Sequence, residues 1–184
     1  MKKKVIGIIG TIASGKDLAA EYIAAQLRIP RHEISQPLKD LAQERGIALT
    51  RENLVKFGRE IAAEEGMDYL AKVILEKIPS TGVVAGMRQI PQIEYLRDNA
   101  DLVLLAIDAD PAVRFARASG RGKSGEAATL VEFIEREQEE NSGTVQRLFD
   151  CMKLADYHLV NDGSVEELKQ KIDSILMERH LMVN

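Results

Sequence analysis

Short apolar runs alternate along this chain with longer stretches of helical periodicity. The runs VIGII (5–9), EIS (33–35), VVAG (83–86), LVLLAI (102–107) and YHLVN (157–161) predict strands. Three of them are nearly continuous in apolar residues, as strands covered on both faces must be. Strands that alternate with helices predict a parallel sheet wrapped by helices, an α/β fold. The helix boundaries are equally readable. Asp110 before Pro111 is an N-cap followed by proline at the first helical position. Thr129 with Glu132, and Ser164 with Glu167, have the spacing of capping boxes. After Ser164 the positions Val165, Leu168, Ile172 and Ile175 repeat at helical spacing and predict the last helix.

Two stretches exceed what a minimal sheet-and-helix layout needs. Residues 36–78 are one long helical pattern between the second and third strands. RASGRGKSGEAAT, within 117–140, is Gly-rich and basic where a covering flap is expected. Long insertions of this kind commonly carry function.

Composition narrows the classes. With 184 residues, 45% hydrophobic and 29% charged, the whole chain, 1–184, is expected to fold as a single domain. A net charge of -4, with Lys and Arg scattered, gives no basic field, so duplex nucleic acid is not an expected partner and small anions bound at local sites are. Cys151 is the sole cysteine, which leaves no internal disulfide or cysteine zinc site and is expected to be a packed thiol on a helix. The three histidines show no ligand spacing. The opening apolar run is short and broken by Gly7, and no run approaches the ~18 residues of a membrane span. A cytoplasmic protein without a membrane anchor is the expectation.

The chemistry sits in GTIASGKDLA, residues 10–19. Gly10 and Gly15 bracket four residues, Lys16 follows, a buried strand leads in and an Ala-rich helix leads out. That context lets peptide N–H groups and a helix N-terminus converge on phosphate oxygens. Gly10, Ala13, Ser14, Gly15, Lys16, Asp17 and Leu18 are therefore the expected nucleotide contacts. Asp17 stands where a magnesium-holding hydroxyl is usual. No Asn-Lys-x-Asp guanine motif is present, and the two insertions match what a small-molecule kinase needs to grip an acceptor and exclude water.

GMRQIPQIEYL (86–96), following an apolar strand, resembles the segment after the third strand of adenylate kinases. SQPLKDL and the SGKD form of the loop are similar to deoxynucleoside monophosphate kinases and dephospho-CoA kinases. VVAGMR, IDADPAVRFARASGRGK, FIEREQEE and ADYHLVNDGSVEELKQKI resemble an archaeal-type family of kinase-like P-loop proteins. The resemblance implies a P-loop NTPase-type five-stranded parallel sheet, an acceptor-binding helical insertion at 36–78 and a lid at 117–140, with ATP and Mg²⁺ as cofactors. It implies that Arg88 grips an acceptor phosphate and that Gln92 reads a base, with Lys39 and Arg59 as further acceptor-pocket residues. Arg117, Arg121 and Lys123 in the lid, and Arg136 in the helix after it, are implied to meet the transferring phosphoryl group, and Asn161 and Gly163 to wrap the donor adenine. A small nucleotide is thus the implied partner, and a nucleoside or deoxynucleoside monophosphate the implied acceptor. Two departures bear on this. Asp17 replaces the loop hydroxyl, and Ala85 stands where relatives carry a strand-three carboxylate. Dephospho-CoA kinase activity and a nucleotide-binding protein without catalysis are the alternatives, and the metal is assigned to Asp17, with Asp108 or Asp110 as the other choice.

Overall fold

The computed structural model describes residues 2–120, 127–141 and 147–181. β1 (Lys3–Gly10) runs into α1 (Lys16–Leu27), and β2 (Arg31–Glu33) is followed by α2 (Gln36–Glu44), α3 (Arg51–Glu65) and α4 (Tyr69–Lys77). β3 (Thr81–Ala85) leads to α5 (Ile90–Asn99). β4 (Ala100–Asp108) leads to α6 (Pro111–Ser119), α7 (Leu130–Asn141) and α8 (Leu148–Lys153), and β5 (Tyr157–Val160) to α9 (Val165–Glu178). The strands pair in parallel in the order β2-β3-β1-β4-β5. The chain therefore leaves β1 toward one side of the sheet and later returns to fill the other. In open α/β sheets the crevice at such a reversal, beyond the carboxyl ends of the strands, is where ligands bind.

Side chains alternate across the sheet with the two-residue period of a strand. Val5, Ile9, Val84, Leu102 and Leu104 pack against Ala71, Ile74, Ile93, Leu96 and Cys151 of α4, α5 and α8. Ile6, Ile8, Val83, Val103, Leu105 and Ile107 pack against Ala20, Ile23, Leu168, Ile172 and Leu176 of α1 and α9. Both faces of the central strands are thus covered, which is why their sequences read as unbroken apolar runs. Helix α4 belongs to this main core. The insertion carries a small core of its own in Leu38, Ala42, Phe57 and Ile61, between α2 and α3.

Each predicted strand differs from the observed one by a residue or more; β3 spans 81–85 rather than 83–86, and β5 ends at 160 rather than 161. β1 and β4 are longer at both ends than their apolar runs, because pairing with neighbours extends past the last apolar residue. β2 occupies 31–33 rather than 33–35. Ile34 still donates its N–H to the Ala85 carbonyl, at 2.9 Å, but its side chain drops into the main core and Ser35 is already the residue before α2. The Ser164–Glu167 capping box is present in both directions. At the Thr129–Glu132 pair, Thr129 Oγ1 accepts from Glu132 N, and the Glu132 carboxylate takes chiefly the N–H of Ala128, with that of Thr129 contributing less. Cys151 is buried on α8 as expected, and burial, with Asp150 beside it, pushes its thiol up to about 11. Among the described residues no helix is long and apolar enough to cross a membrane.

Candidate active site

The loop between β1 and α1 is built by close approach. At Gly10 a side chain would bring its Cβ to 2.2 Å from the carbonyl oxygen of Ile107 on β4, so the loop can leave the sheet here only as glycine. Gly15 adopts φ +98°, and a Cβ there would lie 2.4 Å from Asn161 Nδ2. Both conditions, left-handed backbone and no room, demand glycine. Ala13 is also left-handed, at φ 60°, a conformation that alanine adopts at a cost of roughly 1–2 kcal/mol.

The loop is fixed by groups outside it. Asn161, at the exit of β5, donates from Nδ2 to the Ser14 carbonyl at 2.7 Å. Thr11 donates its hydroxyl to Asp108 Oδ1 at 2.6 Å. Arg114 of α6, only 4% exposed, donates from Nε to the Ala109 carbonyl at 2.9 Å and from Nη1 to the Ile12 carbonyl at 3.4 Å. The rest of its fork closes on Glu137 of α7, which is also buried. Phe133 of α7 covers the same guanidinium, 5.5 Å from the ring centre, and packs with Ala13 and Ala118. Arg114 and Glu137 lie inside the stretches IDADPAVRFARASGRGK and FIEREQEE, but the resemblance implies no role for either. The signal available was an Arg four residues past an N-cap and a Glu on a mostly charged helix, and only burial distinguishes them from solvated side chains.

A cavity of about 200 Å³ opens beside the loop, lined by Ala13, Gly15, Lys16, Asp17, Leu18, Arg117, Asn161 and Gly163. Eight residues singled out from the sequence therefore meet in one place. Arg117 lies there with its guanidinium on the carbonyls of Asn161 (2.8 Å) and Gly163 (3.3 Å), the loop assigned from the sequence to the adenine. Asn161 faces the phosphate loop rather than open space. Arg121 and Lys123 lie outside the described residues. Arg136 donates to Glu132 one turn earlier on α7.

Beyond the end of β3, Arg88 follows Gly86, which is left-handed at φ +84°. Its backbone is held at both ends: the N–H donates to Gln92 Oε1 at 3.3 Å and the carbonyl accepts from Arg147 N at 2.9 Å. Gln92 is buried, and its amide nitrogen donates to Gln89 Oε1. Both halves of that amide thus serve the turn before α5. Lys39 is half-buried on α2. Arg59 lies on the exposed face of α3, beside an open cleft of about 550 Å³ with Arg51, Val55 and Lys56, and is not brought into the cavity of the phosphate loop.

Three carboxylates stand around Arg31 at the mouth of the loop. Its guanidinium meets Glu33, Glu21 at 2.9 Å and Asp17 at 3.7 Å, while Lys16 Nζ lies 3.2 Å from Asp17 Oδ2. Glu33 is registered with Ala85 across the β2–β3 pair, and its carboxylate oxygen would lie 3.3 Å from a Cβ at Gly86. An acid on the neighbouring strand thus stands next to the place where strand three lacks one. The three carboxylates named from the sequence as candidate metal ligands differ in what engages them. The Asp17 side chain is 56% exposed, with Lys16 and Arg31 beside it; that of Asp108 is 46% exposed, with Oδ1 accepting from Thr11 and the Ala109 N–H, and Asp110 uses Oδ1 to cap α6.

The sequence signature of the AAA domain matches residues 6–143. A UPF0200/UPF0201 protein of Archaeoglobus fulgidus is 34% identical over 97% of the chain, which spans 56% of that relative's length. A UPF0200 protein of Methanocaldococcus jannaschii is 30% identical over 95% of the chain and 89% of its own length. Among solved structures, the shikimate kinase of Acinetobacter baumannii in complex with shikimate superposes with a TM-score of 0.59 at 12% identity, covering 97% of this chain and 95% of that one. The shikimate kinase of Aquifex aeolicus does so with a TM-score of 0.60 at 14% identity, covering 97% and 98%. The fold is that of P-loop kinases.

Proposed function

The chain belongs to the UPF0200 family, with an AAA domain over 6–143, and from this premise we propose that it transfers the γ-phosphoryl group of ATP to a nucleoside or deoxynucleoside monophosphate. The observation that carries this reading is the arrangement around Lys16: a phosphate loop whose peptides are fixed from outside, opening on a cavity shared with Arg117, Asn161 and Gly163. Loop N–H groups and Lys16 hold the β- and γ-phosphates, and the bond from the γ-phosphorus to the bridging oxygen breaks as ADP leaves. Lys16 stabilises the charge that spreads over the phosphoryl oxygens, as such point charges do in this chemistry. Arg88, just past β3, takes the acceptor phosphate, since a guanidinium fork suits a two-pronged contact with a phosphate. A monophosphate is already ionised and attacks without a general base, in keeping with Ala85.

Mg²⁺, when bound with ATP, supplies charge neutralisation to the phosphates. Asp17 is the residue that would hold it, directly or through water, because Mg²⁺ takes one or two carboxylates together with phosphate oxygens and water. Until then Lys16 and Arg31 offset that carboxylate.

One observation favours a second reading, in which the acceptor is a hydroxyl, as for a dephospho-CoA kinase. Glu33 beside Ala85 and Gly86 offers a carboxylate to take the hydroxyl proton. Labelled ATP supplied with a panel of nucleoside monophosphates, dephospho-CoA and other small alcohols separates the two. Transfer to a monophosphate that survives Glu33→Gln supports the first reading; transfer to an alcohol that Glu33→Gln abolishes replaces it with the second. Binding of ATP without transfer to any of them leaves a nucleotide-binding protein.

A further inference from the structure

A trans peptide points its C=O and its N–H in opposite directions, so whatever holds a loop carbonyl outward also aims the next N–H inward. Two carbonyls of the phosphate loop are held in this way. Asn161 takes that of Ser14, and Arg114 takes that of Ile12. The N–H groups of Gly15 and Ala13 are correspondingly turned to the other side, toward the concavity of the loop. For Ala13 this orientation coincides with left-handed backbone, at φ 60°, which an alanine leaves unless its surroundings hold it there.

Arg114 differs from Asn161 in what sits on its far side. Its Nε donates to the Ala109 carbonyl and lies 3.5 Å from Asp108 Oδ1, its fork is shared between the Ile12 carbonyl and Glu137, and Phe133 of the same helix as Glu137 lies over it. Both charges are buried, at 4% and 5% exposure. Such a pair contributes little net stability compared with apolar residues of similar volume, so stability alone does not account for it.

We propose that Arg114 is a positioning residue for phosphate binding: it holds the Ile12–Ala13 peptide with its N–H aimed at the ligand, and through Glu137 it makes that orientation depend on α7 being docked. The ligand chemistry is the polyphosphate of a nucleotide, so the inference rests on the reading given under Proposed function. Coupling of this kind is reciprocal. If docked α7 strengthens nucleotide binding, bound nucleotide must strengthen the docking of α7 by the same factor.

The test measures the affinity of the whole chain for Mg·ATP and Mg·ADP by calorimetry, together with the melting temperature, in the unaltered protein and two variants. Arg114→Met with Glu137→Leu removes both charges. It is expected to melt within a few degrees of the parent and to bind nucleotide at least about tenfold more weakly. Arg114→Lys keeps a cation for Glu137 but lacks the fork that also reaches Ile12, and it should show a loss of the same kind. Hydrogen exchange on the unaltered protein supplies a readout that needs no variant: nucleotide should slow exchange in α7 as well as in residues 10–16. Variants that melt normally and bind nucleotide as the parent does overturn the proposal. So does nucleotide that protects the loop and leaves α7 unchanged. An unaltered protein that binds neither nucleotide overturns instead the nucleotide reading on which the proposal rests.

Discussion

The two halves of the cleft are built on different plans. Around the loop after β1, to which the proposed reading gives the donor, two carbonyls are pinned by side chains from α6 and from the exit of β5. Helices α2 and α3, to which the proposed reading gives the acceptor, instead form a pair with a small core of its own and an open, charged outer face. A phosphate offers any protein the same oxygens, so the donor side can be fixed once and kept rigid. An acceptor differs from enzyme to enzyme, and the helical pair meets the main core through α4, where Leu70 packs against both clusters.

The sharpest way to break this comparison is to unfold one half alone. Phe57 is fully buried between α2 and α3, and Phe57→Ala should cost about 3–5 kcal/mol. The expectation is faster hydrogen exchange over 51–65 with ATP affinity retained within about twofold. Joint loss of ATP binding would show that the two halves fold as one cooperative unit.

Next in size is Lys16→Ala, which strikes the donor side without touching the core. Phosphoryl transfer should fall at least about 10²-fold, of the order measured for single groups that stabilise transition-state charge, with an unchanged melting curve. Near-normal turnover in a folded variant is the result that removes the P-loop assignment.

Arg88→Ala addresses the acceptor side at its fixed end. Loss of a charge-assisted hydrogen bond of about 1.5–3 kcal/mol should raise the acceptor KM roughly 10- to 100-fold and leave ATP affinity alone. If ATP affinity drops while the acceptor KM holds, Arg88 belongs to the donor half.

The smallest effect is expected at Asp17, where the two sides meet. Asp17→Thr restores a hydroxyl to the loop, and the Mg²⁺ concentration needed for half-maximal ATP binding should shift about fivefold, the scale of ~1 kcal/mol for a charge at a helix N-terminus. An unchanged Mg²⁺ requirement moves the metal to Asp108, whose second oxygen is the remaining candidate.

The same contrast explains what the sequence made legible. Strand runs, helix caps and the Gly10–Lys16 loop are encoded locally, by periodicity and by backbone demands that only particular residues meet. β2 was misplaced by two residues because Ile34 is apolar for the core rather than for the ladder, and a single run cannot tell the two apart. Gln92 has the composition of a base reader, yet its amide closes the turn at Arg88, a contact set by the path of the chain after Gly86. Arg114 and Glu137 were invisible for the opposite reason. They lie 23 residues apart on helices whose sequences read as ordinary solvated charge, and tertiary packing alone makes them partners. Glu33 escaped notice because its neighbour is Ala85 across the sheet, not along the chain.

The brevity of the outer strands also bears on how the protein survives in a crowded solution. The long strands with unbroken apolar centres, β1 and β4, lie inside the sheet, while the edges are β2, with three residues and an Arg31–Glu33 ion pair, and β5, with four. An exposed edge is a template on which another chain can add a strand, and short, charged edges are poor templates. The segments of this sequence with the greatest tendency to form fibrils are thus the ones that the folded chain keeps out of reach. Loss of the fold, rather than any wear at its surface, is what would release them.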